Sequence, residues 1–189
     1  MESPASLLLF YVVVPVWLLA GVADWLCHRA TGIAHTSGTK ESAIHLLMFA
    51  EVGLPLLALL FLEPDALVLG LLLAGFLLHE PTALWDVTYA SSRRRVTPFE
   101  QHVHSFLEIM PLVVFLLAAV DRPGQLLALF GLGDESPRWA PALRAEPLPA
   151  AYLVGVLTAV VLLEILPYAE ELWRCMRARA ATTAATAKD

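Results

Sequence analysis

Histidines and carboxylates occur together at helical spacing in this sequence. One segment has Glu100, His104 and Glu108 at i, i+4 and i+8, which places the three side chains on one slowly winding side of a helix. Carboxylate and imidazole ligands together suit Fe, Mn or Zn, whereas Ca and Mg do not favour so much imidazole. The segment therefore indicates a binding site for a divalent metal.

The same combination of side chains recurs at three other places along the chain. Each pair is spaced at i, i+4 or i, i+7, so its two members share one face of a helix. The pairs are Asp24 with His28, Glu41 with His45, and His79 with Asp86. With the first segment, they predict one metal site that is built from four helices.

Some of these side chains also have simpler explanations. Thr97 and Glu100 fit a Thr-x-x-Glu capping box at the start of a helix. Asp24 can pair with Arg29, and Glu41 in the first turn of its helix complements the helix dipole. The metal hypothesis depends on the four sets occurring together, because a single interfacial histidine is more often a hydrogen-bonding group.

The deepest acids in the apolar segments are Glu51 and Glu108. An ionisable group at the bilayer centre costs about 2.5–3.5 kcal/mol on insertion scales, so such residues are usually functional. We expect these two to be catalytic, as bridging ligands or proton carriers. Glu170 and Glu171 are expected to be solvated, and His102 points away from the face that carries the other ligands of its helix.

Long apolar segments carry these residues. The chain has 189 residues, is 58% hydrophobic and has a mean hydropathy of +0.68, whereas soluble domains are about 45–50% apolar. The excess lies in runs of about 20 residues, the length that spans a bilayer. We predict an all-α, polytopic membrane protein whose single domain covers 1–179. Its five spans are predicted at about 6–29, 40–62, 66–90, 97–120 and 151–174.

The basic residues predict how the spans are oriented. Arg29 and Lys40 flank the first loop, three arginines at 93–95 fill the third, and further arginines follow the last span. Lys and Arg are enriched on the cytoplasmic side of membrane proteins. We therefore expect the N-terminus outside and the C-terminus in the cytoplasm of a bacterial-type inner membrane. All four ligand sets then lie in the cytoplasmic leaflet.

The remaining segments are predicted to be less regular. Residues 121–150 form an extracytoplasmic loop, with a short interfacial helix at 126–132, and the Ala/Thr-rich tail at 180–189 is expected to be disordered. Cys27 and Cys175 fall at cytoplasmic helix ends and are expected to be free thiols. Nothing in the charge pattern, with a net charge of -6, indicates a nucleic-acid partner.

The combination of carboxylates and histidines within residues 24–108 resembles the sites of membrane non-haem di-iron oxidases and hydroxylases. The resemblance implies two iron ions held at the cytoplasmic or matrix ends of helices. The HxxxH and HxxHH boxes of membrane desaturases and the ExxH pairs of alternative oxidases are absent, since the spacing here is ExxxH. Asp24-Trp25 and the Thr-Ser stretch after it are similar to alkaline ceramidases, which are zinc-dependent amidases, although their later histidine motif is absent.

Three functions therefore stay open from the sequence. The favoured one is a dimetal, di-iron-like oxidoreductase acting on a lipid-like substrate, with Zn or Mn as alternative ions and a redox partner as a further expectation. The second is a zinc-dependent amidase or esterase for membrane lipids, in which Glu51 or Glu108 is the general base. The third is a non-enzymatic protein with a buried polar or proton- or cation-binding network.

Overall fold

Helices dominate the computed structural model, which describes residues 3–186. The all-α class is confirmed, and five helices within this range are long and apolar enough to cross a membrane. These five are α1 (Pro4–Ala30), α2 (Thr39–Phe61), α3 (Ala66–Arg93), α4 (Pro98–Val120) and α6 (Ala150–Thr186). The short helix α5 covers Pro123–Leu129, starting at a proline that suits the first helical position and three residues earlier than predicted.

The last helix extends further than the sequence predicts. Residues 180–189 were expected to be disordered, but α6 continues as far as Thr186, and 187–189 lie outside the described residues. The alanines of this tail have high helix propensity, which favours continuing the helix. Within α6, the segment Val161–Ile165 forms a π-helical turn. Such turns change the direction of side chains locally and are frequent at functional sites.

The connection between α1 and α2 brings two of the predicted ligand pairs together. Gly32 and Gly38 have φ angles of 67° and 66°, a left-handed region that only glycine adopts at little energetic cost. Between them, Ile33–His35 form a 3₁₀ turn that packs against α6. The short loop therefore turns the chain back so that α2 starts beside the end of α1.

The spanning helices form a closed ring around a common interior. α2 packs on α3, α3 on α4, and α4 on α1, while α6 contacts both α1 and α2. Apolar side chains fill the end of the bundle where α1 and α3 begin and where α2 and α4 finish, among them Phe10, Leu59, Leu69 and Val114. The polar pairs lie at the opposite end. The bundle is thus sealed by an apolar core at one end and holds its ionisable groups at the other.

The contact between α2 and α3 depends on Gly75. A Cβ atom at this position would lie 2.5 Å from the backbone oxygen of Glu51 and 2.9 Å from Cγ of Pro55. The two helices can approach this closely because residue 75 has no side chain. Their packing here sets the distance between the ligand pairs that they carry.

We predict that Gly75→Ala destabilises the purified protein, whereas Gly155→Ala does not. The first substitution forces α2 away from α3 and is expected to lower stability by about 1–3 kcal/mol, as overpacking does. At Gly155 an added Cβ meets nothing within 4 Å. Thermal unfolding of both variants in the same detergent measures the difference, and equal melting temperatures would contradict the role of Gly75.

Candidate metal centre

Two imidazoles lie side by side in the interior of the bundle. The rings of His28 and His45 are stacked, with centroids 4.3 Å apart and planes inclined by 6°. Each Nδ1 lies 3.0 Å from a different oxygen of the Glu171 carboxylate. An imidazole that donates its Nδ1–H to a carboxylate keeps the lone pair of Nε2 for a metal. Glu171 therefore holds both rings in parallel, with the two Nε2 atoms directed to the same side.

The Nε2 atom of His28 faces one group of candidate ligands. Oδ1 of Asp24 lies 3.4 Å away, and the same oxygen is 2.8 Å from Nε2 of His104. One ligand atom from each of these three residues lies within 4.8 Å of the other two. Two imidazoles and one carboxylate form the ligand triad of many non-haem iron sites.

The Nε2 atom of His45 faces a second group. Oδ1 of Asp86 lies 3.2 Å from it, and Oε1 of Glu41 lies 4.0 Å from it. His28, Glu41 and His45 also place one ligand atom each within 4.8 Å of one another. The two groups meet at the stacked imidazoles, whose spacing is close to the separation of about 3.5–4 Å between ions in two-metal sites.

Several of the converging atoms have no hydrogen-bond partner within residues 3–186. Buried polar atoms in native proteins are almost always satisfied, since an unsatisfied one costs about 1–3 kcal/mol. The unsatisfied atoms here are Nε2 of His28, Nε2 of His45 and Oδ1 of Asp86. All are potential metal ligands, and their convergence fits a centre of two ions.

Among residues 3–186, buried carboxylates outnumber the permanent cations of the cluster. One buried guanidinium, that of Arg94, faces five buried carboxylates. These carboxylates belong to Asp24, Glu41, Asp86, Glu100 and Glu171. With neutral imidazoles, this leaves four negative charges, which two divalent cations would balance. Burying uncompensated charge is strongly unfavourable, so this excess also favours bound metal.

Arg94 neutralises part of the excess from the end of α3. Its Nη2 lies 2.5 Å from Oε1 of Glu41 and 2.6 Å from Oε1 of Glu100, and Nη1 donates to the hydroxyl of Thr31. Burial alone would lower the pKa of the guanidinium, but the hydrogen bonds to Glu100 and Glu41 outweigh it and raise the pKa above its ordinary value. Arg94 is thus permanently charged and joins the starts of α2 and α4.

Glu100 has two roles at the start of α4. The expected capping box is confirmed: Oε2 accepts from the backbone N–H of Thr97, and the Thr97 hydroxyl accepts from the backbone N–H of Glu100. The other carboxylate oxygen, Oε1, faces Arg94 and the Nε2 atom of His28, which is 3.9 Å away. The capping explanation and the site explanation therefore both apply, each to a different oxygen.

The last helix contributes more to the site than the sequence predicts. Glu164, Tyr168 and Glu171 follow one another at i, i+4 and i+7, so they form one ridge that faces the cluster. The Tyr168 hydroxyl lies 3.1 Å from Oδ2 of Asp24. Glu164 is 5% exposed, its Oε1 has no partner among the described residues, and its carboxylate occupies the space that a side chain at Gly21 would fill.

An apolar cavity adjoins the cluster. It has a volume of about 490 Å³, within the range of about 300–1,000 Å³ that is usual for ligand pockets. Asp24, His45, Asp86 and His104 lie in its wall at the cluster end. Apolar side chains make up most of the remaining wall, including Val14, Leu18, Phe49, Leu57 and Val160. The candidate ligands therefore face a space that suits an apolar molecule.

Seven of the nine predicted metal ligands come together in this cluster. They are Asp24, His28, Glu41, His45, Asp86, Glu100 and His104. The other two, His79 and Glu108, line the cavity. Nδ1 of His79 lies 3.8 Å from Oε2 of Glu51, whose other oxygen accepts from the Thr82 hydroxyl at 2.8 Å. The catalytic roles of Glu51 and Glu108 stay predictions, and His102 is exposed.

Four residues of the site were missed or misjudged from the sequence. Glu171 was expected to be solvated, which is wrong, since it is fully buried between two imidazoles. Glu164 and Tyr168 are not among the ligands that the sequence predicts. Their shared spacing with Glu171 was the signal that could have identified them. The sequence indicates only that Arg94 is one of three basic residues in a loop, and nothing in the run 93–95 distinguishes the buried arginine from its exposed neighbours.

We predict that Arg94→Met destabilises the metal-free protein, whereas Arg95→Met has little effect. Removing the guanidinium leaves Glu41 and Glu100 buried without their cation, and breaking a buried ion pair costs about 3–5 kcal/mol. Arg95 is exposed and provides the matched control. Thermal unfolding in the presence of a chelator is the measurement, and an unchanged melting temperature for Arg94→Met would contradict the assigned ion pairs.

Comparisons with protein-family models, curated proteins and solved structures found no match to this chain.

Proposed function

We propose that this protein is a membrane-embedded, dimetal oxidoreductase of the di-iron kind that acts on a lipid-like substrate. The observation that carries the proposal is the convergence of unsatisfied, buried carboxylate and imidazole atoms beside an apolar cavity. The atoms come from helices α1 to α4, as in the bundles that hold di-iron and di-manganese centres. Two further features support it, the excess of negative charge and the parallel imidazoles.

The donor set favours iron. Four carboxylates and three imidazoles face the centre, and both triads contain two imidazoles and one carboxylate. This mixture matches non-haem iron, with Mn as the next choice, whereas catalytic zinc sites use three protein ligands around one ion. Neither cysteine is part of a ligand group, and both thiols are free as expected. The proposed cofactor is accordingly a pair of Fe ions.

The ions would supply activation of O₂ at the edge of the cavity, with electrons from a redox partner. The protein residues perform the other tasks. Glu171 orients His28 and His45, and the Tyr168 hydroxyl holds one oxygen of Asp24 so that the other faces His104. The apolar wall excludes water and places an alkyl or isoprenoid chain against the ligands.

The proposed location is the cytoplasmic leaflet of the plasma membrane. The cluster lies at the bundle end where α1 finishes and α2 begins, and most of the basic residues lie at the same end. They include Arg29, Lys40, Arg93, Arg94, Arg95 and Arg174. An excess of Lys and Arg favours the cytoplasmic side.

We predict that the purified protein contains about two Fe per chain, as expected for a two-ion centre. Mass-spectrometric metal analysis after purification without chelator is the measurement. The double variant His28→Ala/His45→Ala is the matched negative control, because it removes one imidazole from the first ligand group and both from the second. Less than about half an equivalent of Fe, Mn or Zn would overturn the proposal, and zinc alone would favour the lipid amidase or esterase alternative.

We predict that Glu171→Gln weakens metal binding by about 10–100-fold, the effect expected for loss of a group that orients metal-bound histidines. A glutamine offers one oxygen acceptor and therefore satisfies only one of the two Nδ1–H donors. Glu170→Gln is the matched control, since Glu170 is the neighbouring residue and its carboxylate pairs with Arg29 and Arg174 outside the cluster. Competition for Fe(II) with a coloured chelator measures both affinities. Equal affinities in the two variants would show that Glu171 does not support the ligands.

A further inference from the structure

The ring of helices is not equally tight along its length. At the cluster end, α2 and α6 are joined because His45 of α2 bonds to Glu171 of α6. The contacts of α2 with α6 involve the segment Leu166–Thr186, whereas the preceding segment Ala150–Ile165 packs on α1. The seam between α2 and α6 is therefore closed beside the metal cluster and looser further into the bundle.

The cavity reaches the surface of the bundle at this looser seam. Leu54 and Leu57 of α2 belong to the cavity wall and are nevertheless 66% and 43% exposed. Val161 and Ile165 of α6 also line the cavity and are 44% and 43% exposed. Residues that face both the cavity and the outside mark its opening, which we call the α2–α6 portal. The π-helical turn of α6 contains both Val161 and Ile165, and its Glu164 is buried.

The portal lies at the depth of the hydrocarbon chains. Leu54 follows His45 by nine residues, which is about 14 Å along a helix axis. Ile165 precedes Glu171 by six residues, or about 9 Å. At the level of the cluster itself, the His45–Glu171 bond and the turn Ile33–His35 cover the seam. A molecule from the membrane would therefore enter through apolar surroundings and then reach the metal ligands.

This geometry restricts the polarity of the molecule. A charged head group is costly to place at hydrocarbon depth, and the apolar side chains of the rim offer it no partner. A neutral chain has no such desolvation cost, and burial of its apolar surface makes its binding free energy more favourable. The volume of about 490 Å³ suits one chain of drug-like size.

We propose that the α2–α6 portal admits a neutral, single-chain lipid, such as a fatty alcohol or an isoprenoid, from the bilayer interior. The identification of this lipid as the substrate rests on the proposed function. The binding of the lipid does not depend on that function. A lipid with a charged head group is excluded because the seam is closed at the level of the head groups. The neutral polar end of the chain enters first and lies among Asp24, His104 and Glu164, and the tail extends towards Leu54 and Leu57.

The proposal is tested by native mass spectrometry of the full-length protein in detergent with hexadecan-1-ol and with palmitoyl-lysophosphatidylcholine. Both have a sixteen-carbon chain, and they differ in the charged head group. We expect one hexadecan-1-ol per chain and at least tenfold weaker binding of the lysophospholipid. Equal affinity for the two lipids would overturn the proposed selectivity, and this comparison needs no variant.

Blocking the portal provides the second arm of the test. Leu57→Trp/Val161→Trp narrows the opening and is expected to reduce hexadecan-1-ol binding at least tenfold. Leu77→Trp/Leu78→Trp is the matched control, because both leucines are 59% exposed on α3 and lie outside the cavity wall. Equal binding by the two double variants would overturn the portal.

Metal content, measured on the same samples, separates the two proposals. If the portal variant retains its metal but no longer binds hexadecan-1-ol, the portal is supported and the metal centre is intact. The protein could also bind hexadecan-1-ol selectively and through the portal without ever taking up metal. That result would support this inference and reject the proposed oxidoreductase.

Discussion

The candidate site depends on the hydrogen bonds between one carboxylate and two imidazoles. Glu171 accepts from Nδ1 of His28 and of His45, and it thereby aligns their Nε2 atoms on one side of the stacked rings. The three residues belong to α6, α1 and α2, so the same bonds also close the ring of helices at this end. Orientation of the ligands and closure of the bundle are thus a single structural feature, because both result from the buried position of one side chain.

Burial gives this arrangement its chemical character. In a low-dielectric interior, charges interact strongly and unpaired polar atoms are costly. The cluster compensates part of its charge with Arg94 and leaves the remaining negative charge around the Nε2 atoms. The neighbouring cavity is lined mainly by aliphatic and aromatic side chains. A polar cluster that could hold cations and an apolar cavity therefore share one boundary, which runs past Asp24, His104 and Glu164.

The sequence predicts much of this arrangement for a simple reason. Apolar runs of bilayer length identify the spanning helices, and the 3.6-residue period places Asp24 with His28 and Glu41 with His45 on shared faces. The alternation of connections then brings the ends of α1 and α3 to the same side as the starts of α2 and α4. Seven candidate ligands follow from local spacing and topology alone. His79 and Glu108 satisfied the same spacing rule, but they line the cavity beside the cluster, since spacing on one helix does not specify its rotation relative to the others.

What the sequence by itself determined is the helical membrane class, the side of the bundle that carries the ionisable groups, and most members of the donor set. The tertiary structure alone decided which atoms face each other. It buries Glu171 instead of exposing it, selects Arg94 from three consecutive arginines, and turns Glu164 and Tyr168 of α6 towards Asp24. It also separates α2 from α6 to form the portal. The physical reason is that helical periodicity specifies faces within one helix, whereas burial, pairing and openings depend on how several helices pack against each other.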